Sequence, residues 1–145
     1  MKLLNMVGFV VSGVPGHKRR VRTGKGKGGR PTHYKDAKTK ANEDLIKMEW
    51  LRWIGPPEPK VGPCLMDVVA IYEPPKSWSE AKKMDAICRK LPKVTSPDAS
   101  NILKQHEDAL NGLAYKDDRQ IYDSRCRKRY GSENCTEIKI YFYEE

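Results

Sequence analysis

The sequence predicts a single α+β domain, and three observations carry that reading. The chain has 145 residues, which is the length of one domain and enough to bury a core without disulfides. Apolar runs of strand type stand near both ends and in the middle, and segments of helical period lie between them. No internal repeat is present. The expected architecture is a mixed sheet of about four strands with about three helices.

Met6 to Ser12, rich in Val and Phe, reads as a strand that stops at Gly13 and Pro15. Gly16 to Thr32 reads as a basic, flexible loop punctuated by Gly24, Gly26, Gly28 and Gly29. It contains no phosphate-binding G-x-x-x-x-G-K-[ST] signature. Asp36 to Trp53 has helical period, with Ala37, Ala41, Leu45, Met48 and Leu51 or Arg52 as the expected inward face. Gly55-Pro56-Pro57 ends it. Cys64 to Tyr72 is a largely apolar strand closed by Pro74-Pro75. Ser79 to Arg89 forms a short helix with Ser79 as N-cap, and Pro92 to Pro97 is extended. Ala99 to Asn111 is a third helix that Gly112 terminates. Arg119 to Tyr130 and Cys135 to Tyr143 are strands joined by Gly131-Ser132-Glu133-Asn134, a spacing that predicts a hairpin.

Charge is distributed unevenly. The formal net charge is +9. Lys18, Arg19, Arg20, Arg22, Lys25, Lys27, Arg30, Lys35, Lys38 and Lys40 face only Asp36 within the segment from His17 to Lys40. Elsewhere acids and bases cancel, so the whole excess sits early in the chain and favours an anionic partner. Cys64, Cys88, Cys126 and Cys135 lack the paired spacing of a zinc site and read as reduced packing residues of an intracellular protein. Asn5 and Gly8 interrupt the N-terminal apolar run, so a buried first strand is preferred over a secretion signal. No segment reaches the ~18 apolar residues of a membrane span.

The chemistry concentrates between Thr95 and Ile121. On a wheel of ~100° per residue, Ile102, Leu103, His106, Ala109, Leu110 and Leu113 share one side of the third helix. Ser100, Asn101, Lys104, Glu107, Asp108 and Asn111 share the other. Asp98 precedes this helix, and Asp117-Asp118 opens the next strand. Carboxylates hold hard cations through oxygen, and a lysine offsets charge on phosphate. An ordinary solvated helix face is the competing reading of the same residues. Arg125, Arg127 and Arg129 share one strand face and read either as further surface for an anionic partner or as a solvated edge. Trp50 and Trp53 read as core or dimer contacts rather than base-stacking wedges.

These residues form a pattern. Pro97-Asp98-Ala99-Ser100-Asn101 with Lys104, then Asp108-Ala109-Leu110-Asn111-Gly112, then Tyr115-Lys116-Asp117-Asp118-Arg119-Gln120-Ile121 resemble the RusA family of Holliday junction resolvases. The family pattern is P-D-x-D-N-x-x-K, D-A-L-N-G and Y-x-D-D-x-Q-[IV]. Looser similarity covers nearly the whole chain, including Pro15, Lys18, Arg20 and Arg22, the run Pro75 to Ser79, and Lys128 to Gly131.

The resemblance implies a cytoplasmic, homodimeric endonuclease of DNA recombination and repair. It implies Mg²⁺ dependence, with Mn²⁺ as a substitute, and symmetric cutting of branched double-stranded DNA at four-way junctions. The family's catalytic carboxylates fall on Asp98, Ser100 and Asp118, and its lysine on Lys104. Ser100 departs from the pattern, because a hydroxyl is a poorer cation ligand than a carboxylate. The site is then weakened, or the serine was introduced, or Glu107 replaces the missing acid from about two turns further along the same face. Asp108 matches the motif away from a catalytic position, and Asp117 is expected to support rather than ligate. On this reading Asp98, Asp118 and Glu107 are the metal set and Lys104 the charge-offsetting base. Lys18, Arg19, Arg20, Arg22, Lys25, Lys27 and Arg30 then hold DNA backbone. Two other classes stay open: a catalytically silent junction-binding protein, and a basic RNA- or ribosome-associated protein.

Overall fold

In a computed structural model the described residues are 1–19, 22–34 and 36–145. Arg20 and Lys35 lie outside them, and Arg22 is described by its backbone alone. The elements run β1 (Leu3–Ser12), β2 (Arg22–Lys25), β3 (Pro31–Tyr34), α1 (Ala37–Trp53), β4 (Cys64–Tyr72), α2 (Glu80–Ile87), α3 (Ala99–Leu110), β5 (Ile121–Tyr130) and β6 (Cys135–Tyr143). The domain is α+β, with a mixed four-stranded sheet ordered β1-β6-β4-β5 and a separate pair β2-β3.

Alternation builds the core. Met66, Val68 and Ala70 of β4 and Ile138, Ile140 and Phe142 of β6 are buried, while Leu65, Asp67 and Val69 turn to the other, more open face. This is the period of two that a one-sided sheet demands. Ile46 and Trp50 of α1 and Ile102, Ala109 and Leu110 of α3 cover the buried face. Phe9 meets Trp50 edge-on at 5.7 Å between ring centres. Asp36 caps α1 by accepting from the Lys38 and Thr39 amides, and Ser79 caps α2 by accepting from the Lys82 amide.

Three sequence expectations are corrected. β5 and β6 do not form a hairpin, because β4 lies between them, parallel to β5 and antiparallel to β6. β4 is the most continuously apolar strand and takes the interior place, so the four residues after β5 step across its end. The buried face of α1 carries Thr39, Glu43, Ile46 and Trp50. The expected face of Ala37, Ala41, Leu45, Met48 and Leu51 or Arg52 is exposed. Hydrophobicity alone misjudged this helix because its inner face meets polar groups on α3: Gln105 donates to the Thr39 carbonyl at 3.4 Å. The expected basic loop contains the β2-β3 hairpin, in which Arg22 pairs with Tyr34 and Lys25 with Pro31.

Candidate active site

The site is built on the polar face of α3 and on the turn that enters β5. α3 begins at Asp98, whose backbone carbonyl accepts the first helical bonds while its carboxylate makes no capping bond. The helix ends at Asn111. Gly112 follows with φ +84°, a conformation that suits glycine, and its amide donates to the Tyr115 carbonyl. Buried Tyr115 returns to α3 by donating its hydroxyl to the Glu107 carbonyl.

The local chemistry of Asp117-Asp118-Arg119-Gln120 gives the two acids different surroundings. Asp118 to Gln120 form one 3-10 turn, so Asp118 stands just ahead of the strand rather than on it. Asp117 caps this turn by accepting from the Arg119 amide, and its own amide donates to the Gln120 side chain. The Arg119 guanidinium and amide hold the Asp117 carboxyl down at about 2. Gln120 anchors the turn by donating to the Lys60 and Gly62 carbonyls, both at 2.9 Å. Asp117 thus supports the turn and Asp118 faces the helix.

Lys104 extends to that turn. Its ammonium lies 3.4 Å from Asp108 and 3.8 Å from Asp118. Lys18 closes on Asp108 from the other side at 2.9 Å, and its amide donates to the Asn101 carbonyl. The basic segment therefore begins on the polar face of α3. Asp108 pushes the Lys104 pKa up, helped by Asp118 and Glu107. Burial raises the pKa of the Glu107 carboxyl; Lys104 opposes the rise, and Asp108 and Asp118 add to it. A hydrogen bond from Ser124 of β5 also favours the charged form.

The structure thus gathers Lys104, Glu107, Asp108 and Asp118 into one electrostatic cluster. Asp98 stands at the opposite end of the same helix. Nine positions separate it from Glu107, about 13 Å of helical rise. A hollow of about 270 Å³ opens beside Asp98, lined by His17, Ser96, Pro97 and Asn101. Ser100 is exposed on the first turn between the two ends. No group of three His, Cys, Asp or Glu side chains is assembled to hold a metal ion among the described residues. The donor chemistry nevertheless suits a hard divalent cation. The carboxylates of Glu107, Asp108 and Asp118 supply only oxygen, and a cation bound there would favour the charged form of Glu107 against its burial.

Of the residues expected to hold DNA, Lys18 belongs to the site itself. Arg19 lies by α1, its amide donating to Thr39 Oγ1 and its guanidinium 3.9 Å from Asp36. Lys25, Lys27 and Arg30 are exposed around the hairpin turn. Arg127 pairs with Asp67 and Arg129 with Glu137 on the open sheet face. Sequence reasoning missed the Lys18–Asp108 pair, Ser124 and His17. The motifs give no signal for these long-range contacts.

Fold and site together define a class: a small α+β domain whose polar helix face arranges carboxylates about a lysine, beside a basic segment. The sequence profile described as Endodeoxyribonuclease RusA matches residues 12–141, and the chain belongs to that family. It is also similar to a Bacillus subtilis (strain 168) protein called Uncharacterized protein YqaN, at 44% identity over 82 residues. That match covers 54% of this chain and 57% of the relative, little more than half of either.

Proposed function

We propose that this protein is a structure-selective DNA endonuclease that resolves four-way junctions by cation-dependent phosphodiester hydrolysis. The observation that carries the reading is the Lys104 ammonium held between Asp108 and Asp118, with Glu107 in the same cluster, in a chain of the RusA family. Asp118 and Glu107, together at one end of α3, are the residues that would hold Mg²⁺ or Mn²⁺; Asp98, about 13 Å of helical rise away, stands beyond the ~2.0–2.1 Å ligand distance of that cation and would act from the other end of the face. When bound, the cation supplies polarisation of the scissile phosphate and a more acidic water.

The chain's own residues do the rest. Lys104 offsets charge that builds on the phosphate. Asp108 and Asp118 orient that ammonium, and Lys18 brings the basic segment to the same face. A DNA-acting role fits a cytoplasmic protein, and no helix among the described residues is long and apolar enough to cross a membrane. A homodimer fits symmetric cutting.

Ser100 favours a second reading, a junction-binding protein with a silent site. Cleavage of a synthetic four-way junction with Mg²⁺ or Mn²⁺, by the parent and by Ser100→Asp, separates the two. Cutting by the parent supports the enzyme. Tight binding by the parent without cutting, and cutting only after Ser100→Asp, supports the silent binder.

A further inference from the structure

We propose that Lys128 is a positioning residue that sets where the Asp98 carboxylate stands. The inference rests on the reading of Asp98 as a working carboxylate. From β5, Lys128 Nζ donates to the Thr95 carbonyl at 2.8 Å and to the Pro97 carbonyl at 2.9 Å. These carbonyls flank the last two residues before Asp98. Asp98 has no side-chain capping bond of its own, so its carboxylate is aimed by the backbone that delivers it. Lys93 ties the same loop by donating to Thr95 Oγ1 at 2.7 Å, and its ammonium lies over the Tyr72 ring at 4.6 Å. An ammonium has three N–H donors, and Lys128 spends two of them on carbonyls. That is the bonding of a clamp rather than of a free phosphate contact.

The rest of α3 packs along the same strand, with Ser124 on the side of Glu107. Ser124 and Lys128 are four residues apart and share a strand face, about 13 Å at ~3.3 Å per residue. Asp98 and Glu107 are nine helical residues apart, also about 13 Å. Strand and helix run antiparallel over equal lengths, so β5 lies along the whole polar face, and Lys128 fixes its Asp98 end. The position of Asp98 relative to the Glu107–Asp118 cluster is therefore set at its own end, by Lys128 tying the loop to the sheet.

The test compares Lys128→Met, which keeps the stem and removes the donors, with Lys128→Arg, which keeps donors and charge. The first readout is amide hydrogen exchange over residues 95–102 in the free protein. Loss of the charged bonds should speed exchange there by about tenfold or more, with the rest of the sheet unchanged, and Lys128→Arg should restore most of the protection. The second is single-turnover cleavage at saturating cation. Lys128→Met should cut about tenfold more slowly with junction affinity and its salt slope unchanged. Unchanged exchange in Lys128→Met overturns the clamp. So does a salt slope that falls by about 0.9, which would make Lys128 a phosphate contact. If Lys128→Met does not fold, Lys128→Gln takes its place in both readouts, with the same outcomes deciding. If the parent does not cleave at all, the nuclease reading fails, while the exchange result still decides whether the clamp exists.

Discussion

Asp98 and Asp118 stand at opposite ends of a face that Lys104 occupies, and on the proposed function their substitution should separate cleavage from DNA binding. Asp98→Asn and Asp118→Asn should each abolish junction cleavage and leave affinity equal or tighter, because a carboxylate that repels phosphate is lost; gel-shift titration beside a cleavage assay checks this. Glu107 gives a distinct signature. Its folded pKa is raised, so its stability contribution is full below the ordinary carboxylate value and is lost as pH rises through the raised one. Glu107→Gln should therefore melt higher than the parent in thermal denaturation at neutral pH under chelation. Adding Mg²⁺ should stabilise the parent more than this variant. His106 has the opposite sign. Burial lowers it to about 4 from 6.5, so its contribution is full above 6.5 and is lost as pH falls towards 4. The loss is about 3 kcal/mol, and His106→Leu should flatten the acid limb of a denaturation-versus-pH profile. The motif made Asp98, Lys104 and Asp118 legible because their spacing is local. The Lys18–Asp108 pair spans 90 positions, and Lys128 reaches Pro97 across 31. Only the folded chain brings such partners together.

At the scale of elements, α1 carries the most consequential surprise. It buries Thr39, Glu43, Ile46 and Trp50 and leaves Leu45, Met48 and Leu51 at 41%, 64% and 49% exposure. Trp50 is thus a core residue, while Trp53 is exposed and donates to Glu49. The outward stripe also bears Asp44 four positions before Met48 and Arg52 four after it. An antiparallel pair of α1 helices about Met48 would bring the acidic side of one stripe to the level of the basic side of the other. This suits a second copy of the chain as the occupant. Met48→Glu with Leu45→Glu should yield a monomer by sedimentation, with the melting temperature of the dissociated chain little altered. A parent that is monomeric at tens of micromolar would discount the stripe as an interface. The sequence showed this helix and its ends, because caps and breakers are local. It did not show the facing, because Thr39 and Glu43 are polar residues that the interior accommodates. The same limit hid β4 between β5 and β6: adjacency in sequence suggested a hairpin, and the apolar content of β4 decided otherwise.

For the whole molecule, the early positive segment runs from the polar face of α3 at Lys18 to the hairpin turn at Lys27. Replacing Lys25, Lys27 and Arg30 with Ala should weaken junction binding and flatten its salt dependence by up to ~0.9 per lost contact, leaving the cleavage rate of bound junction unchanged. Lys18→Ala should alter both, because it also releases Asp108. Equilibrium binding across a salt series with single-turnover rates distinguishes the two groups. The α+β class was legible from strand and helix periods, whereas the order of strands was not. That order has a consequence for how the chain comes into being. β6, which follows β1, β4 and β5 in the sequence, lies between β1 and β4. Until Cys135 to Tyr143 emerge, β1 lacks its neighbour in the main sheet. A chain arrested after Asn134 should stay protease-sensitive throughout, and emergence of β6 should be the event that converts a nascent polypeptide into a resistant one.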